Sequence, residues 1–347
     1  MNRSLLYVGS VLISLAVVVG ASSIASGDEF YKGKTLRVIV GYSPGVGYDT
    51  YARFIARHII KYIPGRPRII VENRPGAGGL IAANHVYHSR RQDGTEILHV
   101  GGSVMIKQFT GSKNVKYDAA KFQYIGAPFT ESTVMVVSKK SGFTRFQDLL
   151  GTDAKEIALG GISTGSPQDV AAILLRDVIG VKVRLVTGYR GTSRIRLAME
   201  AGELDGMFNG WASLRATSTD EIKRGEYLVL LQVSQKGIQE LSNVPSILEF
   251  ARNEEQRRLI RLTTLVPYQF ARSFIVGPKV PKDRVRTLQR AFDKTMVDKD
   301  FVAEAKRARL IIEPIKGAKI QSFVLEFLKM PEKPKAKVLE LLTGKRP

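Results

Sequence analysis

The sequence predicts an α/β protein of two domains with a ligand-binding cleft between them. Segments with the apolar pattern of buried strands alternate with helical segments along most of the 347 residues, the order found in parallel sheets covered by helices. Glycine-rich loops follow strands in both halves of the chain. In open α/β sheets, ligands bind at such loops, beyond the carboxyl ends of the strands. A cleft that receives loops from both domains fits this distribution.

The first strand, loop and helix occupy residues 36–60. Residues 36–40 form an apolar run typical of a buried strand, and glycines and a proline then end that pattern. Apolar residues next recur at helical spacing, with basic residues on another face. N–H groups at a helix start have no partner inside the helix, and the helix dipole favours negative charge there. The loop is therefore a candidate anion-binding site, presented by Ser43, Gly45, Val46 and Gly47.

Asp49 follows this loop at the start of the helix. As a helix-start acid, it would bond a backbone N–H and interact favourably with the dipole. In a functional role it would orient waters or loop amides, or receive a ligand ammonium, because direct contact with an anion would be repulsive. The sequence leaves both roles open.

The strand, loop and helix pattern recurs. Strand-like runs lead into polar or glycine-rich loops at residues 72–79, 101–103, 160–165 and 188–192. After the third of these loops, Ser166 is expected to be the N-cap of a helix, with a proline at its first position and an acid at its third. Gly202 is expected to end the helix that follows residue 192.

Two polar stretches, at residues 130–132 and 235–237, are candidate crossings between the domains. They predict a discontinuous first domain of residues 28–131 and 233–347 and a second domain of residues 132–232. The tail from Met330 contains two prolines and several lysines. We expect it to be a loosely held extension.

The N-terminus predicts export. Residues 1–3 carry a positive charge, residues 5–20 are apolar over the length of a signal peptide, and Ser23 and Ala25 offer small residues at the cleavage positions. We expect removal of a signal peptide of residues 1–25 and a periplasmic protein. The alternative is an uncleaved membrane anchor, for which the apolar stretch is short.

The composition favours anionic partners. Lys and Arg outnumber Asp and Glu by 53 to 32, giving a formal net charge of +21, which suits small carboxylates, anionic polymers or simply a basic solvated surface. No nucleic-acid-binding motif occurs, so no nucleic-acid partner is expected. The chain has no cysteine, which excludes disulfides and zinc–thiolate sites. His85 and His88 lie one helical turn apart but lack a third ligand at a characteristic spacing, so no metal site is expected.

Two segments match the G-x-S-x-G pattern of hydrolase nucleophiles. In residues 41–45, Pro44 has no N–H to lend to an oxyanion hole. In residues 161–165, the chain order of α/β-hydrolases requires a histidine downstream of Ser163, and all four histidines lie upstream. We therefore expect no catalytic residue. A secreted serine hydrolase that uses Ser163 stays an alternative, since convergent triads ignore chain order.

The mature chain resembles the Bug family, the extracytoplasmic solute receptors of tripartite tricarboxylate transporters, over nearly its whole length. The most specific motif is V-E-N-R-P-G-A-G-G at residues 71–79. The other motifs are the Pro–Gly loop within residues 36–49, D-G-T at 93–95, S-T-G-S at 163–166, Y-R-G at 189–191, G-E-L-D at 202–205 and N-V-P-S at 243–246.

The resemblance implies a type II periplasmic-binding-protein fold, in which a hinged cleft separates two Rossmann-like domains. It implies a receptor without catalysis or cofactor, expected to be a monomer, that binds a small carboxylate and works with membrane subunits of a transporter. The chain departs from the family pattern at Val46, which separates two glycines that are commonly adjacent. It departs also at Gln168 and Asp169, where a histidine is frequent, and at Arg190, where lysine is common.

The candidate ligand-binding residues come from both halves of the chain. They are Ser43, Gly45, Val46, Gly47 and Asp49 in the first loop, Ser103, then Ser163, Thr164 and Ser166 in the opposing loop, and Tyr189, Arg190, Thr192 and Asn209 on the far wall. Arg190 is either a charge partner of the ligand or a solvated surface arginine.

Overall fold

A computed structural model describes residues 30–45, 47–162, 165–189, 191–234 and 237–343. It confirms an α/β fold of two domains, each built on one β-sheet. In chain order the strands are β1 Thr35–Val40, β2 Arg68–Asn73, β3 Glu96–Val100, β4 Gln123–Ala127, β5 Thr133–Ser138, β6 Ile157–Gly160, β7 Val183–Val186, β8 Gly206–Gly210, β9 Tyr227–Val233, β10 Ser273–Val276 and β11 Ile315–Lys316.

Helices cover the faces of both sheets. In chain order they are α1 Gly47–Ile59, α2 Leu80–His88, α3 Ser103–Phe109, α4 Pro167–Leu174, α5 Thr192–Ala201, α6 Trp211–Thr217, α7 Thr219–Lys223, α8 Glu254–Ile260, α9 Val266–Gln269, α10 Lys282–Met296, α11 Lys299–Arg307, α12 Gly317–Leu328 and α13 Glu332–Thr343. Two of them continue as a π-helical turn, α4 over Leu175–Ile179 and α8 over Arg261–Leu265. None of the helices in the described ranges is long and apolar enough to cross a membrane.

The strand orders are β11-β4-β10-β3-β1-β2 in the first sheet and β7-β6-β8-β5-β9 in the second. Strand β1 is parallel to β2 and β3, and β6 is parallel to β7 and β8, as the alternation of strands and helices predicts. The sheets are not parallel throughout, because β10 and β5 each run antiparallel to both of their neighbours. Each of these two strands enters its sheet from a crossing between the halves, where no βαβ connection imposes a parallel direction.

Local sequence sets the helices beside the cleft. In α1, apolar side chains such as Phe54 and Ile55 are buried, while Arg53 is half exposed. In α4, the Ser166 side chain caps the helix and Pro167 occupies its first position, as predicted. Gly202 ends α5 with φ 80°, also as predicted, and its N–H bonds the carbonyls of the last turn.

The chain crosses between the halves three times. The first crossing joins β4 to β5 through residues 128–132. The second lies in residues 266–272, because α8 packs on the helix that contains α4 whereas β10 belongs to the first sheet. The third follows α12, which packs on β4, and leads into α13, which packs on α4 and α8. The domain boundaries predicted from the sequence stay a prediction.

The C-terminal helix α13 differs from the expected loose extension. Val338, Leu341 and Leu342 are each at most 2% exposed and belong to the largest buried cluster, which contains residues of both sheets. The prolines near residue 330 shape the turn into α13 and its first turn, and the apolar side chains three and four residues apart then bury one face.

Candidate functional site

The carboxylate of Asp49, which is only 4% exposed, bonds the first loop. This carboxylate accepts the backbone N–H of Gly45 at 2.9 Å, the side-chain amide of Asn73 at 2.9 Å and the Nε–H of Arg53 at 3.0 Å. Burial alone would raise the pKa of Asp49, but these bonds outweigh it and lower the pKa. Asp49 is thus ionised, and its carboxylate fixes the loop through the bond to Gly45.

The opposing loop uses the same arrangement around Asp169, which is 2% exposed. Its carboxylate accepts the N–H of Ile162 at 2.8 Å and the hydroxyls of Ser166 at 2.7 Å and Thr187 at 2.6 Å. A Cβ at Gly161 would lie 2.4 Å from the Asp169 carboxylate, so this approach requires glycine. In both loops, therefore, an aspartate in the first turn of a helix fixes the loop that precedes it.

Between the two sheets lies a cleft of about 760 Å³. Its walls come from both halves: Ser103 in α3 on one side, Gln168 in α4 on the other, and Asn209 at the end of β8. Leu342 of the C-terminal helix contributes to the lining as well. Both loops that the sequence singled out thus lie at one cleft or beside it.

The predicted residues fall in different places. Ser103, Ser166 and Asn209 line the cleft. The exposed loop residues Ser43, Gly45 and Gly47 lie between Tyr42 and Tyr48, which line it. Asp49 is buried beneath the loop, Thr192 begins α5, and Tyr189 borders a separate surface depression. Val46, Ser163, Thr164 and Arg190 lie outside the described residues, as does the predicted signal peptide.

Two stacked tyrosines form the wall beneath the first loop. The rings of Tyr42 and Tyr48 are 4.1 Å apart and nearly parallel. The Tyr42 hydroxyl accepts the N–H of Gly101 at 3.2 Å and lies 3.3 Å from the hydroxyl of Ser103, which donates to the carbonyl of Gly78 at 2.7 Å. Burial raises the pKa of both tyrosines, so their hydroxyls stay protonated.

Arg272 and Glu131 form an ion pair in the cleft, with 3.1 Å between Arg272 Nε and Glu131 Oε2. Their side chains are only 11% and 17% exposed. Burial alone would lower the pKa of Arg272, but the charge and hydrogen bond of Glu131, together with Tyr48 and Tyr51, outweigh burial and raise the pKa, so the guanidinium stays charged. Arg272 also has φ 58°, a left-handed conformation that a long side chain rarely adopts.

The sequence does not indicate this ion pair. Glu131 lies in a candidate crossing between the domains, and Arg272 follows a mostly apolar stretch with no glycine-rich loop directly beside it. Its burial comes from Tyr48, Phe129 and Glu131, more than 140 residues away along the chain. No local pattern in the sequence indicates such a contact.

Among the described residues that line the cleft there is no histidine to serve as a general base. His99, which lies behind the wall, packs on Phe274 with 4.0 Å between ring centres. Within the part of the chain that the structure describes, no group of three or more His, Asp or Glu side chains is placed to hold a metal ion.

A family model described as "Tripartite tricarboxylate transporter family receptor" matches residues 52–310. Among curated relatives, a UPF0065 protein of Agrobacterium vitis is 26% identical over 231 residues, which are 65% of this chain and 63% of the relative. A UPF0065 protein of Bordetella bronchiseptica is 29% identical over 140 residues, 40% of this chain and 41% of the relative. The chain thus matches less than two thirds of the length of either relative.

Solved structures share the fold at low sequence identity. A TctC solute-binding protein from Polaromonas has a TM-score of 0.69 at 19% identity, over 91% of this chain and all of that one. MatC from Rhodopseudomonas palustris, solved with bound malate, has a TM-score of 0.60 at 18% identity, over 88% and 99%. Another R. palustris protein, solved with adipate, has a TM-score of 0.65 at 19% identity, over 88% and 97%.

Proposed function

This chain belongs to the tripartite tricarboxylate transporter receptor family, and on that premise we propose that it captures a small carboxylate in the cleft between its domains. The family and the solved neighbours are solute-binding proteins. The observation that carries the proposal is the cleft itself, which is bounded by two loops, each fixed by a buried aspartate at a helix start. Helix N-termini beside a cleft suit recognition of an anion.

The proposal extends to place and partners. The receptor acts in the periplasm as a monomer, after loss of residues 1–25, and delivers its ligand to the membrane subunits of a tripartite tricarboxylate transporter. Ser103, Ser166 and Asn209 are the predicted residues that would meet the ligand, because they line the cleft. The neighbours solved with malate and with adipate support a carboxylate as the ligand.

Thermal unfolding of the mature chain against a panel of carboxylates tests this function, with amino acids, sugars and phosphates as controls. A ligand at about 100 times its Kd stabilises the folded state by roughly 2.7 kcal/mol, which raises the melting temperature by several degrees. If no compound shifts the melting temperature, mass spectrometry of the denatured protein shows whether a ligand co-purified. A flat panel together with an empty extract would contradict the proposal.

A pair of serine variants shows where the ligand binds. Ser213 lies in the wall of the cleft, so Ser213→Phe fills the ligand site. Ser322 is exposed on α12, outside the cleft. Binding should be lost in Ser213→Phe and kept in Ser322→Phe, and equal binding by both variants would place the ligand elsewhere.

A further inference from the structure

Two nitrogen atoms of cleft-lining residues are buried without a hydrogen-bond partner in the described part of the chain. They are Arg272 Nη1 and Asn209 Nδ2. Asn209 is only 3% exposed. Both nitrogens can only donate. Since a buried donor without an acceptor costs free energy, this part of the cleft suits a ligand that brings oxygen acceptors.

These donors belong to one group of residues at the crossings, which we call the hinge cluster: Glu131, Thr133, Asn209, Tyr268 and Arg272. Glu131 lies on the first crossing, and Tyr268 and Arg272 lie on the second. Thr133 begins β5 and pairs with Gly210 of β8, next to Asn209. The hinge cluster is therefore held from both halves of the molecule.

The guanidinium of Arg272 is held by a hydrogen bond at one edge and by aromatic rings near its Cζ. Its Nε bonds Glu131, and the ring centres of Tyr48 and Phe129 lie 4.6 and 4.8 Å from its Cζ. A Cβ at Gly47 would lie 3.3 Å from Nη1, which places this edge beside the first residue of α1. The unpartnered guanidinium edge of Arg272 and the N-terminus of the 13-residue helix α1 therefore both contribute positive potential beside Gly47.

The rest of the lining is rich in carbon. Apolar side chains come from helices and loops on both sides of the cleft: Ile106, Ile162, Val170, Pro267, Ala271 and Leu342. Burying hydrocarbon against such a surface stabilises a complex by about 25 cal/mol for each Å² removed from water. A short, hydroxylated acid leaves this surface unused.

We propose that Arg272 binds the ligand carboxylate directly, through the guanidinium edge that Glu131 leaves unpaired, and that the ligand is a monocarboxylate with an apolar body. Asn209 supplies a further donor at the hinge cluster. This inference rests on the proposed function and names its ligand class. It also gives Glu131 a defined role, because its negative charge positions Arg272 but opposes a second carboxylate nearby.

Two single variants separate recognition from structure. Arg272→Gln and Glu131→Gln break the same ion pair, so a purely structural role weakens binding in both. Direct recognition predicts opposite signs. Arg272→Gln should weaken hexanoate binding by about 10- to 100-fold, the range expected for a charge-assisted bond. Glu131→Gln should strengthen it severalfold, because a competing negative charge is removed.

The neutral amide of the probe provides the internal control. Isothermal titration compares hexanoate with hexanamide, and benzoate with benzamide, in the wild-type protein and both variants. Wild type should prefer each acid over its amide, Arg272→Gln should lose most of that preference, and hexanoate should bind more tightly than malate. If the single variants fail to fold, the double variant Glu131→Gln/Arg272→Gln, which leaves no unpaired charge, should show the same lost preference.

The outcomes distinguish this inference from the proposed function. Failure of the wild-type protein to bind any carboxylate, with no ligand in the extract, overturns the function. If wild type binds carboxylates but both variants change affinity in the same direction, or Arg272→Gln keeps the full preference for acid over amide, only the role of Arg272 is overturned. Tighter binding of malate than of hexanoate overturns the apolar ligand class.

Discussion

The hydroxyl of Tyr51 in α1 bonds the backbone of Ile311, 260 residues further along the chain. It donates to the Ile311 carbonyl at 3.2 Å and accepts the Ile311 N–H at 2.9 Å. This pair of bonds joins the first helix to the segment before β11 within the first sheet's half. The half that contains the first sheet is built from distant parts of the chain, and specific hydrogen bonds as well as a shared core hold these parts together.

Tyr51→Phe should lower the free energy of unfolding by about 1–2 kcal/mol, because the half-buried N–H and carbonyl of Ile311 lose their shared partner. The ring, which packs near Arg272, is kept. The matched control is Tyr227→Phe, because the Tyr227 hydroxyl donates to the side-chain carboxylate of Glu200 at 3.2 Å rather than to the backbone. Urea unfolding of both variants measures the difference, and an equal loss in both would contradict a special role for the Ile311 bonds.

Asp49→Asn should destabilise the first loop, since an amide nitrogen replaces an oxygen that accepts from several donors. The expected loss is about 1–3 kcal/mol of unfolding free energy at neutral pH. Because the folded-state pKa of Asp49 is lowered, its stabilisation is present above the ordinary pKa and is lost as the pH falls below it. Urea unfolding at pH 7 and pH 3 should show the gap between wild type and variant shrinking at pH 3.

Asp169→Asn should have a parallel effect on the opposing loop, because its carboxylate also accepts three bonds. The exposed Asp153 offers the control, and Asp153→Asn should change stability by less than about 0.5 kcal/mol. In the ligand assay Asp49→Asn and Asp169→Asn should both weaken binding. Wild-type affinity in either variant would show that the loop it holds is not needed for recognition.

His99 predicts a pH dependence of stability. Burial and the nearby charge of Arg272 lower its pKa from 6.5 to about 3, against a bond with the Ser273 carbonyl that raises it. The unfolded state therefore takes up a proton between these values, so stability is full above pH 6.5 and falls toward pH 3 by about 1.4 kcal/mol for each pH unit. Guanidinium unfolding from pH 7 to pH 4.5 should show a shallower pH dependence for His99→Phe than for wild type. Parallel curves would mean that His99 does not titrate on unfolding.

Neighbouring leucines in α13 separate stability from binding. Leu341 and Leu342 are 1% and 2% exposed, and only Leu342 lines the cleft. Each Leu→Ala change should cost about 2–5 kcal/mol of unfolding free energy. In the ligand assay, Leu342→Ala alone should also weaken binding of an apolar carboxylate. Equal affinity of the two variants would remove α13 from the ligand site.

Local features of the fold could be predicted from the sequence, and distant ones could not. Ser166, Pro167 and Gly202 act on backbone groups within a few residues. Their roles at helix ends can therefore be predicted from the local sequence. The directions of β5 and β10 depend on where the chain crosses between the halves, which no short pattern encodes. The burial and pairing of Arg272 could not be predicted for the same reason, because the rings and the carboxylate that surround it come from residues 48–131.

The three crossings have a mechanical consequence. With a single linker the two halves could twist and slide past each other, whereas with three connecting segments we expect mainly one rotation between them. In the proposed receptor, that rotation would set the distance between α3 and α4 when the cleft is closed, and a ligand would have to match this distance to contact both walls. We therefore expect the connections of the backbone to select ligands by length.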